Sequence, residues 1–190
     1  MTVEQMDIAE LKPELERLHS ASFGWALSCC RRDPSDAEEV LQTVYLKILE
    51  GRARFRGESS LKTWLFAVIR KTAATEYRRK LLRTLRLVPE FDEASAIIAS
   101  DSPTTSFEKS EVRAHFQTAL RELPRRQREA LHLVFYEDLS LREAADVMGV
   151  SIGSARQHYE RGKKRLRESL AHMEVDYGSN WRRQENPSAV

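Results

Sequence analysis

Cysteine is scarce in this chain of 190 residues: Cys29 and Cys30 are the two present, and they are neighbours. Adjacent cysteines rarely pair with each other, so no disulfide framework is expected. Two adjacent thiols without a second pair also make a poor zinc site. The expected state is one buried and one half-exposed thiol near a helix end, with a redox or metal role as the lesser alternative. Glycine is sparse too, at 7 residues, and nothing alternates with the period of a strand. Aromatics make up 8% of the chain, which suits thin, helix-sized cores. No stretch approaches the roughly twenty apolar residues needed to span a bilayer. The first thirty residues carry acids among their apolar positions, unlike a signal peptide. No membrane insertion and a cytoplasmic location are therefore expected. The histidines, His19, His115, His132, His158 and His172, are scattered. No HExxH, phosphate-binding glycine loop or GxSxG occurs. No catalytic set, no cofactor and no metal site can be assembled, so an enzyme is not expected.

What the chain does have is charge in blocks. The net charge is +2, but residues 1–50 carry 5 cations against 10 acids and residues 51–86 carry 11 against 2. Residues 87–111 return to 1 against 6, residues 112–150 balance at 6 and 6, and residues 151–170 carry 6 against 2. Two basic blocks divided by an acidic stretch suggest two contacts with one polyanion, because basic clusters release counterions from a phosphate backbone. A solvated face is the plain alternative for either block alone.

Helical periods dominate. A first helix is expected over about residues 7–30, with Leu11, Leu15, Leu18 and Phe23 facing inward. Asp33-Pro34-Ser35-Asp36 is a helix start, with proline in the first turn and acids at the positive end of the dipole. Ala37, Val40, Leu41, Val44, Tyr45 and Ile48 then form one stripe, and Gly51 ends the helix. A basic loop from Arg52 to Ser60 precedes a helix over about 60–82. Its inward face is Trp64, Leu65, Val68, Ile69 and Thr72, and a second face gathers Thr63, Ala67, Arg70, Lys71, Ala74 and Arg78. From residue 83, prolines, hydroxyls and acids read as a linker with a short helical piece near Ala94–Ala99. Helices are expected over 111–122 and 124–137. Ser140-Leu141-Arg142-Glu143 has the capping-box form, Gly149 ends that helix, and Ser151 caps a last one over about 152–170. Ile152, Ala155, Tyr159, Gly162 and Leu166 share its inner face.

The last two helices have the spacing of a helix-turn-helix, whose second helix presents its N-terminal half to the major groove. Ser154, Arg156, Gln157 and Arg161 could reach base edges, with Lys163, Lys164 and Arg165 nearer the phosphates. The basic segment 52–79 interleaves Phe55, Trp64, Phe66 and Tyr77 with Arg52, Arg54, Arg56, Lys62, Arg70, Lys71 and Arg78. Proteins that hold single-stranded DNA combine such cations with aromatic platforms. Core packing competes with that role at Trp64, and the two readings are balanced at Tyr77.

Four segments carry a family resemblance. Asp36 to Lys47 resembles the core-polymerase-binding helix of sigma-70-family factors. Phe55-Arg56-Gly57-Glu58-Ser59-Ser60-Leu61-Lys62-Thr63-Trp64-Leu65 is similar to the segment that melts the promoter −10 element, and Arg70–Lys80 to its continuation. Leu123 to Ala130 together with Ser140–Leu166 resembles the −35-binding domain. Their order resembles the extracytoplasmic-function (ECF, group 4) type, which keeps sigma regions 2 and 4.

The resemblance implies an all-α fold of two small helical domains. These are a region 2 bundle over residues 1–86 and a region 4 helix-turn-helix over 111–172, joined by a flexible linker at 87–110 and followed by a loose tail at 173–190. It implies a transcription initiation factor that binds core RNA polymerase, through the β′ clamp helices and the β flap, and promoter DNA. An anti-sigma factor is the expected regulator; a mimic that sequesters such a factor is the alternative. Asp36, Glu39, Gln42 and Tyr45 would bind polymerase. Arg54, Phe55, Arg56, Lys62, Trp64, Arg70, Lys71 and Arg78 would bind the −10 element. Ser154, Arg156, Gln157, His158, Arg161 and Lys164 would read the −35 element. Acids of residues 1–50 and of the linker are expected to screen the basic blocks until polymerase separates the domains.

Overall fold

The computed structural model describes the backbone of residues 8–87 and 116–184, and side chains within 11–84 and 116–171. Among these residues every regular element is helical. In the N-terminal half, α1 spans Ile8–Arg17, α2 His19–Cys29, α3 Pro34–Leu49 and α4 Leu61–Leu87. In the C-terminal half, the helical residues 116–122 form α5. They are followed by α6 (Arg125–Leu131), a π-helical turn (His132–Tyr136), α7 (Leu141–Met148) and α8 (Ile152–Gln184). Most of the expected linker, with its short helical piece, lies outside the described residues. The expected last helix continues past residue 170, so residues 173–184 are helical here.

The expected first helix is two, meeting at Leu18, where ψ opens to −2° although the Leu18 amide still donates to the Glu14 carbonyl at 3.0 Å. Leu11 is buried, while Leu15, Leu18 and Phe23 pack half-buried against the core. The deeper anchor is Trp25, which is fully buried. Its indole Nε1 donates to the Phe66 carbonyl at 3.0 Å, and the two rings lie stacked with centroids 5.9 Å apart. That bond satisfies the one polar atom of a large apolar side chain, so α2 is pinned to α4 without a desolvation penalty.

α3 starts as its sequence dictates. The Asp33 carboxylate accepts the Asp36 amide at 2.9 Å, Pro34 occupies the first turn, and Gly51 leaves the helix with φ 68°. Ala37, Val40, Leu41, Val44 and Ile48 are buried, and they form the stripe that meets α2 and α4.

In the C-terminal half, Ser140 and Glu143 close a reciprocal capping box: the Glu143 amide donates to Ser140 Oγ at 3.3 Å and the Ser140 amide to Glu143 Oε2 at 2.9 Å. Gly149 ends α7 in the left-handed region at φ 62°, and Ser151 Oγ accepts the Ser154 amide at 3.2 Å to start α8. α8 crosses α6 closely at Gly162, where an added Cβ would lie 3.2 Å from the Gln127 carbonyl and from Leu131. Ala155 is buried as expected, but Ile152 is exposed and the Leu166 side chain only half-buried. The helix expected to run to residue 137 widens after Leu131 into the π turn, closed by the Glu137 amide on the His132 carbonyl at 3.3 Å. Such a turn inserts one residue into the ladder and re-aims the chain beyond it. Here it turns His132 onto Trp25, at 5.3 Å between ring centroids.

The halves are packed on each other. α4 contacts α7, and one continuous core runs from Leu11 through Phe66 to Met148.

Candidate polymerase and nucleic-acid interfaces

Three surfaces hold the candidate residues. The first is the outer face of α3. Glu39 and Gln42 are exposed, Asp36 and Tyr45 half-buried. Lys80 of α4 reaches this face, with its Nζ 2.5 Å from Asp36 Oδ1 and 2.8 Å from Glu39 Oε2. Hydrogen bonds to those two carboxylates hold the Lys80 ammonium above its ordinary pKa. Tyr45 Oη lies 3.0 Å from His19 Nδ1, and burial raises the phenol. Sequence reasoning missed two neighbours on this face, Leu46 and Leu49, which are 53% and 56% exposed. They follow Gln42 at four- and seven-residue spacing, a second apolar line beside the buried stripe. That offset is the signal by which the sequence could have shown them.

The second surface is the loop before α4 and the helix itself. Arg54 is held over the loop by its Nε bond to the Gly51 carbonyl at 2.9 Å. Phe55 is half-buried and packs at a tilt against Trp64, with centroids 5.5 Å apart. Trp64 is half-buried, so it serves the core and still offers an edge. Arg56, Lys71 and Arg78 are exposed. Tyr77 is also exposed, with Arg31 stacked over its ring at 4.7 Å and bonded to its hydroxyl at 2.7 Å. Phe66 corrects the reading of this segment: it is fully buried and cannot receive a base. α4 is covered on two sides, by α2 and α3 and by α7, so its buried arc is wider than one stripe.

Two cations of this set are half-buried and paired with the other half. Lys62 Nζ is 2.9 Å from Glu137 Oε2 and donates to the Glu137 carbonyl at 2.7 Å. Arg70 Nε is 3.2 Å from Glu129 Oε2. Both carboxylates belong to the C-terminal half. Burial works against charge on Glu137, but His132 and Lys62 beside it outweigh burial and hold the carboxyl below its ordinary pKa. The Glu143 carboxyl is also lowered, chiefly by Ser140, with smaller help from Thr63 and Ser60.

The third surface is α8. Ala155, Tyr159 and Gly162 turn inward, and Gln157, Arg161 and Lys164 stand exposed on the opposite side. Ser154 and His158 flank them half-buried. Arg156 is exposed on the other flank, beside Glu160 and Lys163, which pair with each other at 3.2 Å. The face presents one amide, one guanidinium and one ammonium along a line, the groups that read adenine, guanine and phosphate.

Cys29 and Cys30 end α2 half-buried. Burial is the first cause that raises both thiols, Cys30 to about 11, so neither is a ready nucleophile at neutral pH. No group of metal-ligating side chains occurs among the described residues, and none of their helices is long and apolar enough to cross a membrane.

A helix-turn-helix coupled to a basic, aromatic helical bundle defines a DNA-binding protein built from two helical modules. The comparisons with known proteins name the family. The pattern of sigma-70 region 2 matches residues 15–83 and that of sigma-70 region 4 matches residues 113–166. CarQ of Myxococcus xanthus, an RNA polymerase sigma factor, is 32% identical over 76% of this chain and 80% of its own length. The ECF RNA polymerase sigma factor EcfG of Rhodopseudomonas palustris is 31% identical over 68% of each chain. Among solved structures, the sigma factor RpoE in complex with the anti-sigma factor NepR from Bartonella quintana matches with a TM-score of 0.65 at 26% identity, covering 86% of this chain and 98% of that one. The chain belongs to the sigma-70 family of RNA polymerase sigma factors, and within it to the ECF type. It is a transcription initiation factor that binds core RNA polymerase and promoter DNA.

Proposed function

We propose that the three surfaces divide the work of initiation. The α3 face, through Asp36, Glu39, Gln42 and Tyr45 with Leu46 and Leu49 beside them, docks on the β′ clamp helices. Arg54, Phe55, Arg56, Lys62, Trp64, Arg70, Lys71 and Arg78 hold the melted −10 strand. Ser154, Arg156, Gln157, His158, Arg161 and Lys164 read the −35 duplex, and the C-terminal half also meets the β flap. The factor works in the cytoplasm, has no catalytic activity of its own, and is restrained by an anti-sigma factor. The observation that carries the reading is the exposed line Gln157, Arg161 and Lys164 on a capped second helix, in the same chain as an acidic face lined with exposed leucines.

The test is capture of purified core polymerase, followed by transcription of a genomic fragment library with and without the protein. Binding to core together with discrete new start sites is the expected result. Failure to bind core, with capture of an anti-sigma factor instead, would replace this reading with the mimic.

A further inference from the structure

The cations that α4 offers are unequally placed. Lys71 and Arg78 stand in solvent, whereas Lys62 and Arg70 are spent on carboxylates of the other half. Those carboxylates are buried: Glu129 is 2% exposed and Glu137 8%. A buried charge that loses its only partner is costly, which would ordinarily make such contacts permanent. Here each carboxylate keeps a second partner within its own half. Glu129 Oε1 accepts from Arg125 Nε at 2.9 Å, and its Oε2 lies 3.6 Å from Arg126 Nη1. Glu137 Oε1 lies 3.4 Å from His132 Nε2, a contact not aligned as a hydrogen bond. Lys62 and Arg70 have no ion-pair partner in the N-terminal half among the described residues; Lys62 has only the Phe66 ring, at 5.5 Å. Parting the halves therefore leaves Glu129 paired with Arg125 and Arg126, leaves Glu137 beside His132, and releases two cations.

Lys62 Nζ also donates to the Glu137 backbone carbonyl at 2.7 Å, and the other polar contacts across this seam are weak. Thr63 Oγ1 donates to Glu143 Oε1 at 3.4 Å and Ser60 Oγ to the same oxygen at 3.5 Å. Glu143 is already committed to the Ser140 cap and would keep that bond after separation. A guanidinium or ammonium bonds a carboxylate oxygen much as it bonds a phosphate oxygen. A DNA strand can thus exchange with Glu129 and Glu137 at these cations.

We propose that Glu129 and Glu137 form an ionic latch: standing where strand phosphates would bind, they hold Lys62 and Arg70 and, with the apolar core shared across the seam, keep the free factor closed. The identity of the displaced ligand rests on the −10 assignment of Lys62 and Arg70; the latch itself rests on the contacts alone. The latch is built from acids of the residue 112–150 block, which carries 6 cations and 6 acids. It is distinct from the screening expected from the acids of residues 1–50 and of the linker.

The test uses the full-length protein with Glu129→Gln and Glu137→Gln combined. Small-angle X-ray scattering reads the separation of the halves, and a fluorescent A/T-rich single-stranded oligonucleotide reads strand binding without polymerase. The expected result is an expanded particle that binds the strand about tenfold more tightly, as removal of a competing closed state requires. Expansion without tighter binding would keep the latch and overturn the assignment of Lys62 and Arg70 to the strand. An unexpanded particle of unchanged affinity would overturn the latch. Should the double variant fail to fold, zero-length carbodiimide crosslinking of the unaltered protein decides. A Lys62–Glu137 crosslink is expected in the free factor and its loss on adding core polymerase. Its absence from the free factor, while the Lys80–Glu39 pair within one half crosslinks, would overturn the latch equally.

Discussion

The two basic surfaces of this chain are in opposite states of readiness. On α8, Gln157, Arg161 and Lys164 stand in solvent on a rigid, capped helix, with the inner face seated on α6 and α7. On α4 and the loop before it, Arg56, Lys71 and Arg78 are exposed, but Lys62 and Arg70 are bound to the C-terminal half. The contrast comes from burial. α8 is covered on one side only, whereas α4 is covered on two, so cations near its second seam find acids before they find DNA. A surface read by duplex shape can be permanently displayed. A surface meant for single strands, which binds any unpaired strand with little sequence preference, is here displayed in part.

The comparison breaks most severely if the N-terminal half loses its anchor. Trp25→Ala removes the fully buried indole and the bond to the Phe66 carbonyl. Truncating such a side chain costs about 3–5 kcal/mol, a large share of a small domain's stability. Urea unfolding should show that loss. Because Trp25 also touches His132, the seam should loosen with it. A loss below about 1 kcal/mol would mean that the α2–α4 packing is not what holds this half together.

The next effect sharpens the contrast from the other side. Arg161→Ala should weaken promoter binding by about 1–3 kcal/mol if the guanidinium reads a base, and the loss should depend on the −35 sequence. Gel-shift titration against a set of −35 variants measures it. An equal loss on every sequence would make Arg161 a phosphate contact and place α8 in the same sequence-independent role as α4.

Much of this was legible locally. The start of α3, the Ser140–Glu143 box, the Gly149 stop and the Ser151 cap each depend on residues within a few positions of one another, so spacing alone locates them. The outer faces of α3 and α8 came from the same periodicity. What escaped depends on distant partners. Phe66 reads as a stray aromatic in a basic segment until Trp25 and α7 are placed around it. Arg70 falls among cations on a polar face, and only the fold brings Glu129 to it. The junction at Leu18 and the π turn at His132–Tyr136 have neither a glycine nor a proline to announce them. Leu46 and Leu49 were visible as leucines, but their exposure became evident only once the buried stripe was full.

A smaller effect separates polymerase docking from DNA reading. Leu49→Asp places a charge on an exposed apolar position, where substitutions usually change stability within about 0.5 kcal/mol. It should nonetheless weaken capture by core polymerase severalfold while leaving −35 binding by the free protein unchanged. Parallel titrations against core polymerase and a −35 duplex check this. Loss of both would mean that the leucine supports the fold, and loss of neither would remove it from the interface.

The smallest effect lies in pH, and it probes the seam through Glu137 and Glu143. Both carboxyls are held below their ordinary pKa in the folded chain, Glu137 by His132 and Lys62 against the opposing effect of burial, Glu143 chiefly by Ser140. A lowered folded pKa means that the unfolded chain binds the proton more readily. Their contribution is therefore fully present above the ordinary glutamate value of about 4.3, and it fades as pH falls through the depressed folded values. The melting temperature should hold between pH 7 and 5 and decline below about 4 as these carboxyls protonate. Glu143→Gln should flatten part of that decline, at a cost at neutral pH on the order of the 1 kcal/mol that a helix cap contributes. Thermal melts of the two proteins across this range give the answer. An unchanged acid limb in the variant would mean that the Ser140 cap, and the Thr63 and Ser60 contacts that reach it across the seam, do not depend on the charge of Glu143.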